Sequence, residues 1–325
     1  MRAATPALAT LLSLLATTAC TSSPPEAEPP PSPPTPSASF LPSPTVTPPP
    51  TVPSPSSTAP RSFDRAAALT TVRHLAGIGP REGTSTAYRA ALGWLEQQFR
   101  AAGYQTRRQP VPVPAGTSWG IPVRAGTSWN LIATRPGFDP AAPHRIVGAH
   151  LDTVPQAPGA EDNASGIAVL LETARLHRDR PTRFPTAFIA FGAEEPRGPG
   201  DSRHHYGSRA YVASLPQAHR TALRGMVSLD RVGVGAVVPI CAGSPDQLAL
   251  RTQVRAVAAR LGVRSRVCVN RSSDHWSFVR AGLPGVRLGS TPYAEYHSAR
   301  DLPGVVDPAQ LERMGRVASG WLLTG

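Results

Sequence analysis

The chain has 325 residues, a formal net charge of +12 and 38 prolines, sixteen of them between Pro24 and Pro60. That clustering excludes one compact fold over the whole length. The part beyond Pro60 is long enough for one large α/β domain or two small ones. The positive charge is all arginine, scattered with no dense basic run and no nucleic-acid motif, so no nucleic-acid partner is expected.

Residues 1–20, MRAATPALATLLSLLATTAC, read as a signal peptide: Arg2 is a short basic region and Ala7–Ala16 an apolar stretch too short for a membrane span. Cys20 after Thr-Thr-Ala resembles a bacterial lipobox, although Thr17 stands where such motifs prefer Leu. A lipid on Cys20 is then the only expected membrane contact; a simple cleaved secretory signal is the alternative. Either way the protein is expected outside the cytoplasm, lipid-anchored on the outer face or secreted. Residues 21–61 are rich in Pro, Ser and Thr and poor in large apolar side chains, the composition of an unfolded linker. In polyproline II such a segment spans on the order of 100 Å, a stalk for the domain at 62–325.

In that domain Ser62 is placed to cap a helix running to about His74, and a second helix fits 86–102, with Ala91, Leu92, Leu95 and Phe99 as its stripe. TRRQPVPVPAG follows as extended edge structure. The phrase AGTSW, at 115–119 and 125–129, reads as the two arms of a hairpin rather than a repeat. Strands are predicted at 130–134, 145–150, 186–192, 225–230, 265–269 and 284–289. Helices are predicted at 165–177, 246–261, 273–282 and from Pro308 to about Leu323. Apolar strands without polar alternation imply an α/β fold with a mostly parallel, mixed central sheet and helices on both faces. Cys241 and Cys268, an even pair in an exported protein, favour a disulfide over two buried thiols.

Ligands of open α/β sheets lie beyond the carboxyl ends of the strands. RIVGAH ends in His150, FIAFG is followed by Glu194 and Glu195, GMVSLD ends in Asp230, and Asp162 opens the helix after the first of these. Tyr296 and His297 follow in a late loop. Individually, each is ordinary: a structural His, an N-cap, a solvated turn. Together they are the donor chemistry of zinc. Asp162, Glu195, Asp230 and Glu194 carry four negative charges, which two zinc ions would balance. His204 and His205 are assigned to the surface, and His74, His144, His177 and His219 receive no role. The glycosylation-like Asn163-Ala164-Ser165 is set aside.

AHLDT, GAEDNASG, FGAEEP, SLDRVG and YHSARD, in this order, resemble the co-catalytic zinc aminopeptidases of peptidase family 28, a group that includes bacterial secreted leucyl-type aminopeptidases and glutamate carboxypeptidase. SDHWSF at 273–278 is similar to a further segment of that family, and the resemblance runs from about Leu75 to the C-terminus. It implies a three-layer sandwich with two zinc ions. His150 and Asp230 would hold one, Glu195 and His297 the other, with Asp162 bridging. Asp152 would orient His150, and Asp301 would do the same for His297. Glu194 would be the general base and Tyr296 a donor to the tetrahedral oxyanion. The expected activity is that of an exported, monomeric aminopeptidase acting on peptides with a free N-terminus. A long loop, PRGPGDSRHHYGS at 196–208, replaces the shorter Gly-rich turn common in the family and is expected to roof the pocket. Three alternatives stand beside this reading: a single-zinc glutaminyl cyclotransferase, disfavoured by Tyr296 where that group tends to carry Trp, a carboxypeptidase of the same family, and a stalked binding module with a dead site.

Overall fold

A computed structural model describes residues 62–325. The leader, Cys20 and the linker lie outside the described residues. The helices are α1 (Arg65–Ile78), α2 (Thr86–Ala101), α3 (Gly166–Leu176), α4 (Tyr206–Ala213), α5 (Gln217–Ala222), α6 (Ala249–Arg260), α7 (His275–Arg280) and α8 (Pro308–Leu322). The strands are β1 (Gln105–Val113), β2 (Gly116–Ser118), β3 (Ile121–Val123), β4 (Gly126–Thr134), β5 (His144–His150), β6 (Thr186–Phe191), β7 (Leu223–Asp230), β8 (Val238–Ala242), β9 (Ser265–Val269) and β10 (Gly285–Gly289). Eight strands form one sheet in the order β1-β4-β6-β5-β7-β10-β8-β9. The pairs β6/β5, β5/β7, β7/β10 and β8/β9 are parallel; β1/β4, β4/β6 and β10/β8 are antiparallel.

Alternation along the central strands divides the core in two, because successive side chains leave opposite faces of a sheet. Phe188 and Ala190 of β6 and Val227 and Leu229 of β7 join the cluster containing α1, α2, α3, α6 and α8. Ala187, Ile189 and Phe191 of β6 and Met226 of β7 join the other, with Tyr211 and Val212 of α4 and Phe278 of α7. Both faces are covered, as the continuous apolar strands require. Among the described residues no helix is long and apolar enough to cross a membrane.

Four local expectations are corrected. Asp64, not Ser62, caps α1: its carboxylate accepts from the amides of Ala66 and Ala67, and the helix continues past His74 to Ile78. The two AGTSW copies are not arms of one hairpin. β2 pairs with β3, whereas the second copy enters β4, which pairs with the edge strand β1. The short helices α4 and α5 lie in stretches with no predicted element. So does β8, a five-residue strand whose Cys241 forms a disulfide with Cys268 of its neighbour β9.

Candidate metal centre

The three parallel strands β6, β5 and β7 are adjacent, so their carboxyl ends bring Glu194–Glu195, His150 and Asp230 to one edge. Asp162 comes from the irregular turn 160–165 ahead of α3, where the Asp162–Asn163 peptide is cis. This turn is fastened from several directions. The Asp301 carboxylate accepts from the amides of Glu161 (2.8 Å) and Asp162 (3.1 Å), and the Glu161 carboxylate accepts from those of Gly233 and Val234. The fully buried Arg81 guanidinium donates to the carbonyls of Leu75, Gly79, Leu151, Pro158 and Gly159, locking the loop between His150 and Asp162.

Asp162 sits between two imidazoles. His150 Nε2 is 3.2 Å from its Oδ1, and His297 Nε2 is 3.2 Å from its Oδ2. Glu195 Oε2 lies 3.5 Å from His297 Nε2, and Asp230 Oδ1 lies 4.0 Å from His150 Nε2. Donor atoms of His150, Asp162 and Glu195 fall within 4.8 Å of one another, as do those of His150, Glu194 and Asp230. All these side chains are buried or nearly so. Among the described residues, the non-glycine residues with positive φ are Trp119, Ala193, His205, Arg231, Ser290 and His297, each in this region or touching it. Such backbone strain persists only where surrounding structure holds it in place.

The electrostatics are those of acids and imidazoles packed into one buried cluster. Burial, reinforced by neighbouring carboxylates, pushes Glu194 and Glu195 each up to about 8. Burial pushes the His150 imidazole down, but Glu194, Asp162 and Asp230 outweigh it and hold it well above its ordinary value. Burial likewise opposes His297, yet Glu195 and Asp162 raise it to about 10. Asp162 goes the other way: its two imidazole partners overcome burial and hold it well below the usual carboxylate range.

The donor set fits zinc. Glu195 Oε1 is buried with no hydrogen-bond partner beside Asp162 and His297, a costly arrangement for a carboxylate that a cation would relieve. His150 Nδ1 faces the main-chain carbonyl of Asp152 at 3.1 Å, which leaves Nε2 directed at the acids.

Several predicted roles change. The Asp152 carboxylate is 3.7 Å from His150 Nδ1 and is chiefly occupied with the amides of Glu194 (3.0 Å) and Glu195 (3.1 Å). It therefore fixes the two glutamates as well as the imidazole. Asp301 does not orient His297: both its oxygens serve the turn bearing Asp162, and Tyr293 donates to it as well. His205 is not on the surface. It is 3 % exposed, with Nε2 3.2 Å from Glu194 Oε1, and its amide donates to the Glu194 carbonyl. The loop at 196–208 is tied down, since Asp201 accepts from Trp276 Nε1 and pairs with Arg280 of α7. Tyr296 stacks on His297 at 3.7 Å under the Arg231 guanidinium.

The four-acid charge balance omitted cations. Arg287, fully buried on β10, lies 2.7 Å from Asp230 Oδ1, and Arg231 Nε lies 3.7 Å from the same oxygen. It also omitted an acid: Asp274 is fully buried with both oxygens unpartnered, and burial together with Glu194 pushes it up to about 7. A charged residue within the apolar strand PGVRLG was the available signal for Arg287.

An α/β domain with a buried imidazole–carboxylate set at the carboxyl edge of its sheet defines a class of metal-site proteins. Within it, the chain belongs to peptidase family M28, whose model matches residues 130–322. Leupeptin-inactivating enzyme 1 of Streptomyces exfoliatus is 31% identical over 211 residues, covering 63% of this chain and 43% of that enzyme. The chain thus spans under half the length of that curated relative. Among solved structures, a zinc aminopeptidase from Bacillus subtilis superposes with a TM-score of 0.69 at 18% identity, covering 80% of this chain and 94% of its own. A glutaminyl cyclase of Porphyromonas gingivalis gives 0.68 at 25% identity, covering 80% and 98%.

Proposed function

We propose that this domain is a zinc-dependent aminopeptidase, exported and working on peptides with a free N-terminus. One observation carries the reading: the two oxygens of Asp162 face two different imidazoles at equal distance, with Glu195 and Asp230 flanking. Such a layout would suit a carboxylate shared by two metal ions. His150 and Asp230 would hold one ion, Glu195 and His297 the other. When bound, zinc supplies Lewis acidity and a water acidified towards neutrality.

The chain's own residues do the rest. Glu194, buried at the carboxyl edge beside His150 and Asp230, takes a proton from the attacking water and returns it to the leaving amine. Asp152 accepts from the Glu194 amide and the His205 amide donates to the Glu194 carbonyl, fixing the backbone that carries this carboxylate. Tyr296, whose ring stacks on that of His297, would donate its hydroxyl to the oxyanion. Export is supported by the leader-like N-terminus and by the Cys241–Cys268 disulfide, a bond rare in reducing compartments.

Arg287 favours a second reading. Its guanidinium already neutralises part of Asp230, so the position at His150 and Asp230 has less charge to offer a second ion. A single-zinc site is the arrangement expected of a glutaminyl cyclase, the activity named for one of the structural neighbours. The test is a mixed peptide library incubated with the purified protein, with and without chelator, and read by mass spectrometry. Chelator-sensitive loss of single N-terminal residues is expected. Ammonia loss confined to peptides with N-terminal Gln would replace this reading with the cyclase, and C-terminal trimming with a carboxypeptidase.

A further inference from the structure

The hairpin β2–β3 lies ahead of the segment matched by the family model, yet its tip reaches the candidate centre. The tip is Trp119-Gly120, with φ of +47° and +84°. Two positive φ values in a two-residue turn normally call for Asn, Asp or Gly. A bulky indole there is strained, and it is also 57% exposed. Despite that exposure, its ring meets the His297 ring edge-on, centroids 4.6 Å apart, and the Tyr296 ring at 6.2 Å and 81°. Tyr296 is itself 39% exposed.

The hairpin is anchored to the loop that carries the glutamates. A side chain at Gly116 would lie 1.9 Å from the Arg197 carbonyl, which also accepts the Thr117 amide. The Arg197 guanidinium donates to the carbonyls of Pro114 and Arg124 on either side of the hairpin and pairs with Glu82. Trp119 is thus held in fixed relation to Glu195, two residues before Arg197.

We propose that Trp119 and Tyr296 form an aromatic corner that receives the side chain of the substrate residue next to the reacting bond, and that it selects a ring over a branched aliphatic chain of similar size. This inference rests on the metallopeptidase reading of the same centre. Two rings at nearly a right angle let a third meet one by its face and the other by its edge, which an aliphatic chain cannot do. The Arg231 guanidinium, 4.4 Å from the Tyr296 ring centre, disfavours Lys and Arg side chains by like charge.

The test is calorimetric binding of the hydroxamates of phenylalanine and leucine to the zinc-loaded protein, for the natural chain, Trp119→Ala and Trp119→Phe. The natural chain is expected to favour the phenyl probe by about tenfold. Trp119→Ala should bring the two probes to within about twofold by weakening the phenyl probe alone, at unchanged zinc content, and Trp119→Phe should keep most of the preference. Equal binding of both probes by the natural chain would overturn the inference and leave the metallopeptidase reading standing. So would a Trp119→Ala protein that weakens both alike or loses zinc. If neither probe binds the zinc-loaded natural chain, both readings fall.

Discussion

The Arg287 guanidinium lies 2.7 Å from Asp230 Oδ1 in a fully buried position, within the cluster of acids assigned to metal. A metal ion held at Asp230 would therefore compete with a protein cation for one carboxylate. Among the described residues no arginine pairs with Glu195 or His297, whose ion-pair partners are the imidazole and acid groups themselves. The two positions are predicted to be unequal. Arg287→Met should tighten the weaker zinc by about tenfold or more in a calorimetric titration. It should also destabilise the metal-free protein by about 3 kcal/mol, because Asp230 loses its partner. An unchanged weaker constant would remove Arg287 from the account.

Glu194→Gln removes the proposed base while keeping its shape. A loss of about 10²- to 10⁴-fold in kcat is expected, with zinc content unchanged by elemental analysis. His205→Ala, which removes the imidazole packed 3.2 Å from the Glu194 carboxylate, should lower kcat by less and leave KM near its natural value. Near-native turnover in Glu194→Gln would end the base assignment.

Stability should depend on pH in opposite senses with and without metal. Glu194 and Glu195 are raised to about 8 in the folded, metal-free protein. The folded state then binds more protons than the unfolded one from about pH 4.5 to 8, so their contribution is present at low pH and lost as pH rises through that window. Zinc takes the deprotonated donors and reverses the trend. The rise in Tm on adding zinc should therefore be larger at pH 8 than at pH 5.5, and an equal rise at both would contradict the assignment.

Asp301 touches no proposed ligand side chain, yet it holds the amides of Glu161 and Asp162. Asp301→Ala should weaken zinc binding by about 10- to 100-fold, the usual effect of losing a group that orients a ligand. Removing a group tied only to His297 would spare the position at His150, so titration of both positions separates the two roles.

Much of the fold is legible because it rests on apolar runs: β5, β6, β7 and β10 each follow from one, and their shared carboxyl edge brings together His150, Glu194, Glu195 and Asp230. What stayed hidden depends on tertiary partners. His205 in a Gly- and Arg-rich loop looks solvated until the fold turns it onto Glu194. Asp301 looks like a companion to His297 because it is near in sequence, but its oxygens face the turn that bears Asp162. Arg287 is one charge in an apolar strand, and only the register of β10 beside β7, with Gly289 opposite Asp230, sets it on its acid. Trp119 occupies a turn position where ordinary turn chemistry predicts Asn or Gly.

The most direct test of the central claim is the zinc retained per chain after dialysis, measured by elemental analysis for the natural protein and for Asp162→Asn. Because Asp162 faces both imidazoles, the account predicts that zinc bound by the natural chain is largely lost from the variant while its far-ultraviolet circular dichroism is kept. A folded variant that retains the full natural complement of zinc would contradict it.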